Sequence, residues 1–189
     1  IGCEVYMATR SRFDKATEYD RHNYHLVLLC KNNTGYQNLI QLVSKSWTEG
    51  FYSKPRIDKE LLEKYHEGLI CLSGCLAGEI PQNLLRGDYT KARELANYYS
   101  NLFGKDDFYL EIQNHGIKEQ LIVLPQLIQL AEETGISLVA TNDCHYIDKS
   151  DSETHNILLC IQTNHTINDE DKMEFQTDEF YFKTEEEMA

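Results

Sequence analysis

Apolar residues along the chain fall into short aliphatic runs separated by longer stretches in which they recur at helical spacing. The runs near 3–7, His25 to Cys30, Leu69 to Leu72, Phe108 to Ile112 and Ile136 to Ala140 read as buried strands. Between them, Tyr36, Leu39, Ile40, Val43 and Trp47 mark one face of a helix capped at Asn33 or Thr34 and ended by Gly50. A short helix is expected over about 58–65, a longer one over roughly 88–103, an apolar one over 118–134 stopped at Gly135, and another around 151–160. The segment Ser73 to Gly78, with glycines at 74 and 78, predicts a tight strand-to-helix turn. From Asn164 onward the pattern turns acidic and irregular, with a short strand near Phe180-Tyr181-Phe182 and a helix starting at Thr184. Strands alternating with helices predict an α/β fold with right-handed crossovers and a mainly parallel sheet.

With 189 residues, 41% of them apolar, the chain suits one sizeable domain. Ile1 is not a methionine, and Gly2 to Tyr6 reads as the middle of a strand, so a fragment lacking its amino-terminal part is expected. No run is long enough to suggest a membrane span or a signal peptide. Six cysteines (3, 30, 71, 75, 144 and 160) sit mostly within apolar runs, without CxxC pairs, which predicts buried, reduced thiols in a cytoplasmic protein.

The net charge of −13 is unevenly spread: residues 1–56 carry a net +3 and residues 57–189 a net −16. Such an acidic body repels nucleic acid over most of its surface. A phosphate substrate would need a bound metal or the basic stretch Arg10 to Arg21, which could equally be a solvated loop.

The run Ile136 to Ala140 is closed by Thr141-Asn142-Asp143-Cys144-His145-Tyr146. On a regular strand Asp143 and His145 would point to the same side, at the edge where α/β folds gather ligands. A carboxylate beside an imidazole there suits a divalent metal. Glu4 in the first strand, His25 opening the second and Cys75 in the glycine turn supply further ligand types. The mixed hard and soft set is compatible with Zn²⁺ or Mn²⁺, with Mg²⁺ as a further candidate. Each residue alone also has a structural reading: a paired strand carboxylate, a satisfied core histidine, a small buried thiol.

Five segments in order carry a resemblance: Gly2-Cys3-Glu4-Val5-Tyr6, His25 to Leu29, Leu72 to Ile80, Phe108 to Gln113 and Ala140 to Tyr146. Together they resemble the polymerase and histidinol phosphatase (PHP) domains of bacterial DNA polymerase III alpha subunits, and His155 to Thr163 and Phe180 to Met188 resemble the stretch leading out of that domain. The resemblance implies a PHP-type distorted (βα)7 barrel, truncated at its amino terminus, over residues 1–163, and an acidic connecting segment toward the polymerase core over 164–189. It implies a metal centre at Glu4, His25, Cys75, Asp143 and His145, with Glu4 central and bridging and Cys75 where stand-alone members have histidine. Glu4, Asp143 and His145 would carry the chemistry. The family's opening His-x-His motif has no counterpart here, so the centre would be partial. Glu111 reads as a supporting or packing group and His115 as a surface loop residue.

Three functions follow from the resemblance. One is a metal-dependent phosphoesterase acting as a 3′–5′ exonuclease within a replicative polymerase. Another is a scaffold that stabilises the polymerase and docks a proofreading subunit. The third is a stand-alone phosphatase, against which Cys75 and the ending Phe180 to Met188 speak. The implied partners are primer–template DNA and other replisome subunits, with weak or no DNA binding by this segment alone, and no membrane.

Overall fold

The computed structural model describes residues 1–189. Its sheet contains β1 (Gly2–Ala8), β2 (Asn23–Cys30), β3 (Arg56–Ile57), β4 (Leu69–Leu72), β5 (Phe108–Ile112) and β6 (Leu138–Ala140). They lie in the order β3-β1-β2-β4-β5-β6, open from β3 to β6. β3 pairs with β1 in parallel, as do β4 with β5 and β5 with β6, whereas β2 runs antiparallel to both β1 and β4.

The mainly parallel expectation therefore needs one correction, the reversal of β2. No crossover helix separates β1 from β2, only a loop with one 3₁₀ turn (Glu18–Arg21), so the chain returns beside itself as an antiparallel neighbour. The reversal brings the start of β2 to the edge where the parallel strands end, and His25 with it. The strand expected at 136–140 is shorter than its apolar run, and Phe180 to Phe182 forms no strand, only an isolated bridge between Tyr181 and Tyr146.

The helices are α1 (Asn33–Thr48), α2 (Lys59–Tyr65), α3 (Glu79–Leu85), α4 (Tyr89–Phe103), α5 (Lys118–Thr134), α6 (Ser152–Thr163) and α7 (Glu185–Met188). Asn32, rather than Asn33 or Thr34, caps α1 by accepting from Gly35 N, and Asp58 and Asp88 do the same for α2 and α4. Gly135 ends α5 in the left-handed conformation.

Strand alternation decides what faces what. Val5, Met7, Leu26, Leu28, Cys71, Phe108 and Leu110 enter one apolar core with residues from α1 to α5. Glu4, Tyr6 and His25 stand on the opposite face of the sheet.

The basic stretch does not form a free cationic surface. Arg12, only 6% exposed, is held by Asp58 and Glu49, while Arg10 pairs with Asp20 and Arg21 with Glu18. Arg56, 1% exposed, donates to the carbonyls of Arg12, Asp14, Asp20 and Gly50. Of the cysteines, only Cys71 and Cys160 are fully buried; Cys144 is exposed, and all six thiols are free.

Candidate metal centre

β1 and β2 place the first two donors by register alone. Tyr6 lies opposite His25 and Glu4 opposite Val27, so Glu4 and His25 are diagonal neighbours on one face. His25 Nδ1 stands 3.2 Å from Glu4 Oε1, and the Tyr6 ring packs edge-on against the imidazole with centroids 5.1 Å apart.

The third donor arrives through the glycine turn after β4. Gly74 has φ +84°, and a Cβ there would lie 2.6 Å from the His25 carbonyl oxygen, so only glycine lets the turn pass so close to β2. The chain is pinned there by a hydrogen bond from His25 N to the Ala77 carbonyl. Cys75 Sγ consequently lies 3.6 Å from His25 Nδ1. The sulfur and the Glu4 carboxylate push the imidazole up to about 10. The same hydrogen bond from His25, with the His25 and His145 charges, holds the Glu4 carboxyl below its ordinary range against the effect of burial.

The ligand atoms of Glu4, His25 and Cys75 all lie within 4.8 Å of one another. Atoms bonded to a tetrahedral ion at ~2.0–2.3 Å stand ~3.3–3.7 Å apart, so separations of 3.2 and 3.6 Å fit a common ion with little movement. One carboxylate, one imidazole and one thiolate suit Zn²⁺ and disfavour Mg²⁺. Metal ligands bind deprotonated, so an ion would displace the proton that His25 shares with its neighbours.

Asp143 and His145 lie outside this tight group of three. β6 ends at Ala140, and Asp143 adopts φ +45°, so the alternation expected of a strand does not extend to them. His145 Nδ1 instead hydrogen-bonds the Asp143 carbonyl at 2.7 Å, which leaves Nε2 as its available ligand atom. His145 is near enough to contribute, last among the causes, to the lowering of the Glu4 carboxyl.

Two residues beneath the centre do more than their sequence context suggested. Glu111, 6% exposed, accepts from Gly74 N at 3.0 Å and from the Thr141 hydroxyl, tying the Cys75 turn to the Asp143 turn. Burial pushes its carboxyl up. His115 is not a surface residue: it is fully buried, with Nε2 2.8 Å from the Asn142 carbonyl, Nδ1 2.7 Å from Gln120 Nε2 and its ring stacked on Phe180. The signal for it lay in Gln120, whose side chain reaches back to the loop before α5, but that pairing has no sequence pattern.

The tail holds the other side of the Asp143 turn. Asn142 Nδ2 donates to the carbonyls of Glu179 and Tyr181 at 2.9 and 2.7 Å, and His145 N donates to Phe180 O at 2.8 Å. Phe175 and Phe180 pack against the His145 ring.

Comparison with known proteins places this geometry in context. The family model described as "PHP domain" matches residues 1–115. DNA polymerase III subunit alpha of Treponema pallidum is 51% identical over the whole chain, that of Thermus aquaticus 48% and that of Borreliella burgdorferi 46%. The chain spans 16% of the length of each of these relatives.

Proposed function

The chain belongs to the PHP domain family, and from that premise we propose that it is the PHP part of a bacterial replicative polymerase alpha subunit, carrying a divalent-metal centre for phosphodiester hydrolysis of the 3′–5′ exonuclease type. The observation that carries this reading is the gathering of Glu4, His25 and Cys75 donors within 4.8 Å of one another. Residues 1–163 are the PHP portion in this reading, and 164–189 the segment leading toward the polymerase core.

Glu4, His25 and Cys75 would hold the ion, with Asp143 and His145 completing or extending its coordination. Zn²⁺ is the ion the donor set favours, with Mn²⁺ next. When bound, the ion supplies polarisation of the phosphoryl oxygens and activation of the attacking water. The protein's own contribution is orientation: Gly74 and Glu111 fix the Cys75 turn, and the Asp143 carbonyl fixes the tautomer of His145. With a net −16 over residues 57–189, DNA is bound weakly or not at all by this segment alone, and primer–template and replisome contacts fall to the rest of the polymerase. No helix is long and apolar enough to cross a membrane; the reading implies a cytoplasmic protein.

The decisive experiment replaces Asp143 with Asn in the full-length polypeptide, freed of any separate proofreading subunit. Metal affinity should fall about ten-fold or more, and exonuclease turnover with it, while DNA synthesis is much less affected. An intact exonuclease would defeat the hydrolytic reading. The position of Asp143 and His145 outside the tight three-donor group favours a second reading, a scaffold whose metal only holds the fold. Loss of polymerisation with the exonuclease spared would support it. Metal content alone does not separate the two.

A further inference from the structure

Six buried side-chain polar atoms have no hydrogen-bond partner, and four of them, Tyr146 Oη, His155 Nδ1, Asn156 Oδ1 and Thr177 Oγ1, belong to residues lining one cavity. The cavity, about 360 Å³, lies between the start of α6, Tyr146 and the tail around Phe175 to Asp178. Buried polar groups are almost always paired, and four orphans around one space point to something that pairs with them. The space adjoins the candidate centre: the His155 ring lies 5.5 Å from that of His145, and Phe175 packs against both.

The lining defines the occupant's chemistry. No lysine or arginine lines the cavity, so the walls offer no fixed cation to an anion. The single carboxylate, Asp178, is exposed and already 3.5 Å from Lys149 Nζ, which leaves no site for a bare cation. What remains is two amides (Asn156, Gln176), an imidazole (His155) and three hydroxyls (Tyr146, Ser152, Thr177) beside the Phe175 ring. That set recognises an uncharged flat ring with donors and acceptors on its edge, as proteins recognise an unstacked base. We infer that this cavity is a nucleobase subsite, holding one unpaired base of a strand whose phosphodiester lies at the neighbouring metal centre. The inference rests on the hydrolytic reading above for its substrate class, although the orphan atoms stand without it.

The test uses phosphate-free deoxynucleosides as probes, titrated into the whole chain while the imidazole proton signals of His155 are followed by NMR. Saturable shifts are expected for at least one of the four nucleosides. The double variant Tyr146→Phe with Thr177→Val removes two orphan hydroxyls at nearly constant shape and should weaken that binding about ten-fold or more. Asn156→Ala, measured separately, should weaken it too, and keeps the test available if the double variant fails to fold. Zn²⁺ affinity, measured on the same samples, should be unchanged. Nucleoside binding without Zn²⁺ binding would uphold the subsite while defeating the hydrolytic reading. Zn²⁺ binding with no nucleoside shift, or with nucleoside binding indifferent to all three substitutions, would show a cavity filled by ordered water only and overturn the inference.

Discussion

At the scale of single residues, buried polar groups bear as much on this protein as its apolar core. Arg56 is nearly inaccessible and donates to four backbone carbonyls, three in the Arg10–Arg21 loop and one at Gly50, so it joins that loop to the end of α1. Replacing it with Met leaves those carbonyls without donors and should destabilise the fold by at least about 3 kcal/mol in urea unfolding. Lys should not restore the loss, because a single ammonium cannot span the planar fork. Asn142 is a second such residue: Asn142→Ala unpairs the Glu179 carbonyl and leaves that of Tyr181 only the weak Cys144 thiol donor, and should lower stability by roughly 1–3 kcal/mol. Sequence context made His115 look like a surface loop residue because nothing local encodes the Phe180 ring, sixty-five positions on, that covers it.

At the scale of elements, the approach of α1 to the loop before β4 is set by two glycines. A Cβ on Gly35 would meet the Gly68 carbonyl oxygen at 1.8 Å, against backbone that cannot swing away as a side chain can. Gly35→Ala should therefore destabilise the protein by about 1–3 kcal/mol or more, although alanine is the better helix former by ~1 kcal/mol. Thermal unfolding of the variant checks the sign: a raised midpoint would mean that propensity outweighs the clash. β2 teaches the same lesson for strands. Its residues were legible as a strand, but its direction depends on a connection, residues 9–22, that holds one 3₁₀ turn and no crossover helix, and that direction puts His25 beside Glu4.

At the scale of the whole molecule, the tail is docked by charge as well as by aromatic packing. Glu179 is held at about 2, below its ordinary 4.5, by hydrogen bonds first to Lys149 and then to Lys183. A depressed carboxyl contributes its full share above the unfolded value and loses it as the pH falls. Docking of residues 175–182 should therefore weaken between about pH 4.5 and pH 2, while the core, which contains no such pair, persists. Hydrogen exchange at the Phe182 amide, bonded to the Tyr146 carbonyl, reads this directly; exchange that stays flat over that range would show that the aromatic contacts alone hold the tail. The overall charge of −13 sets a second expectation at this scale. Micromolar, salt-sensitive DNA binding by the chain in the presence of a chelator would contradict the proposed division of labour with the rest of the polymerase.

The linear sequence by itself determined most elements, one face of each longer helix, and five residues of ligand type near strand ends. Apolar runs and helical spacing encode these because a buried strand or one face of a helix must be apolar whatever lies opposite it. Only the tertiary structure decided which donors meet. Glu4, His25 and Cys75 converge through the reversed β2 and a turn that glycine alone permits, whereas Asp143 and His145 leave the strand geometry through a left-handed residue. It also decided that the arginines near the start are structural and that the tail closes over the Asp143 turn. These outcomes depend on partners 37 to 46 positions away, and no local pattern records the other half of such a pair.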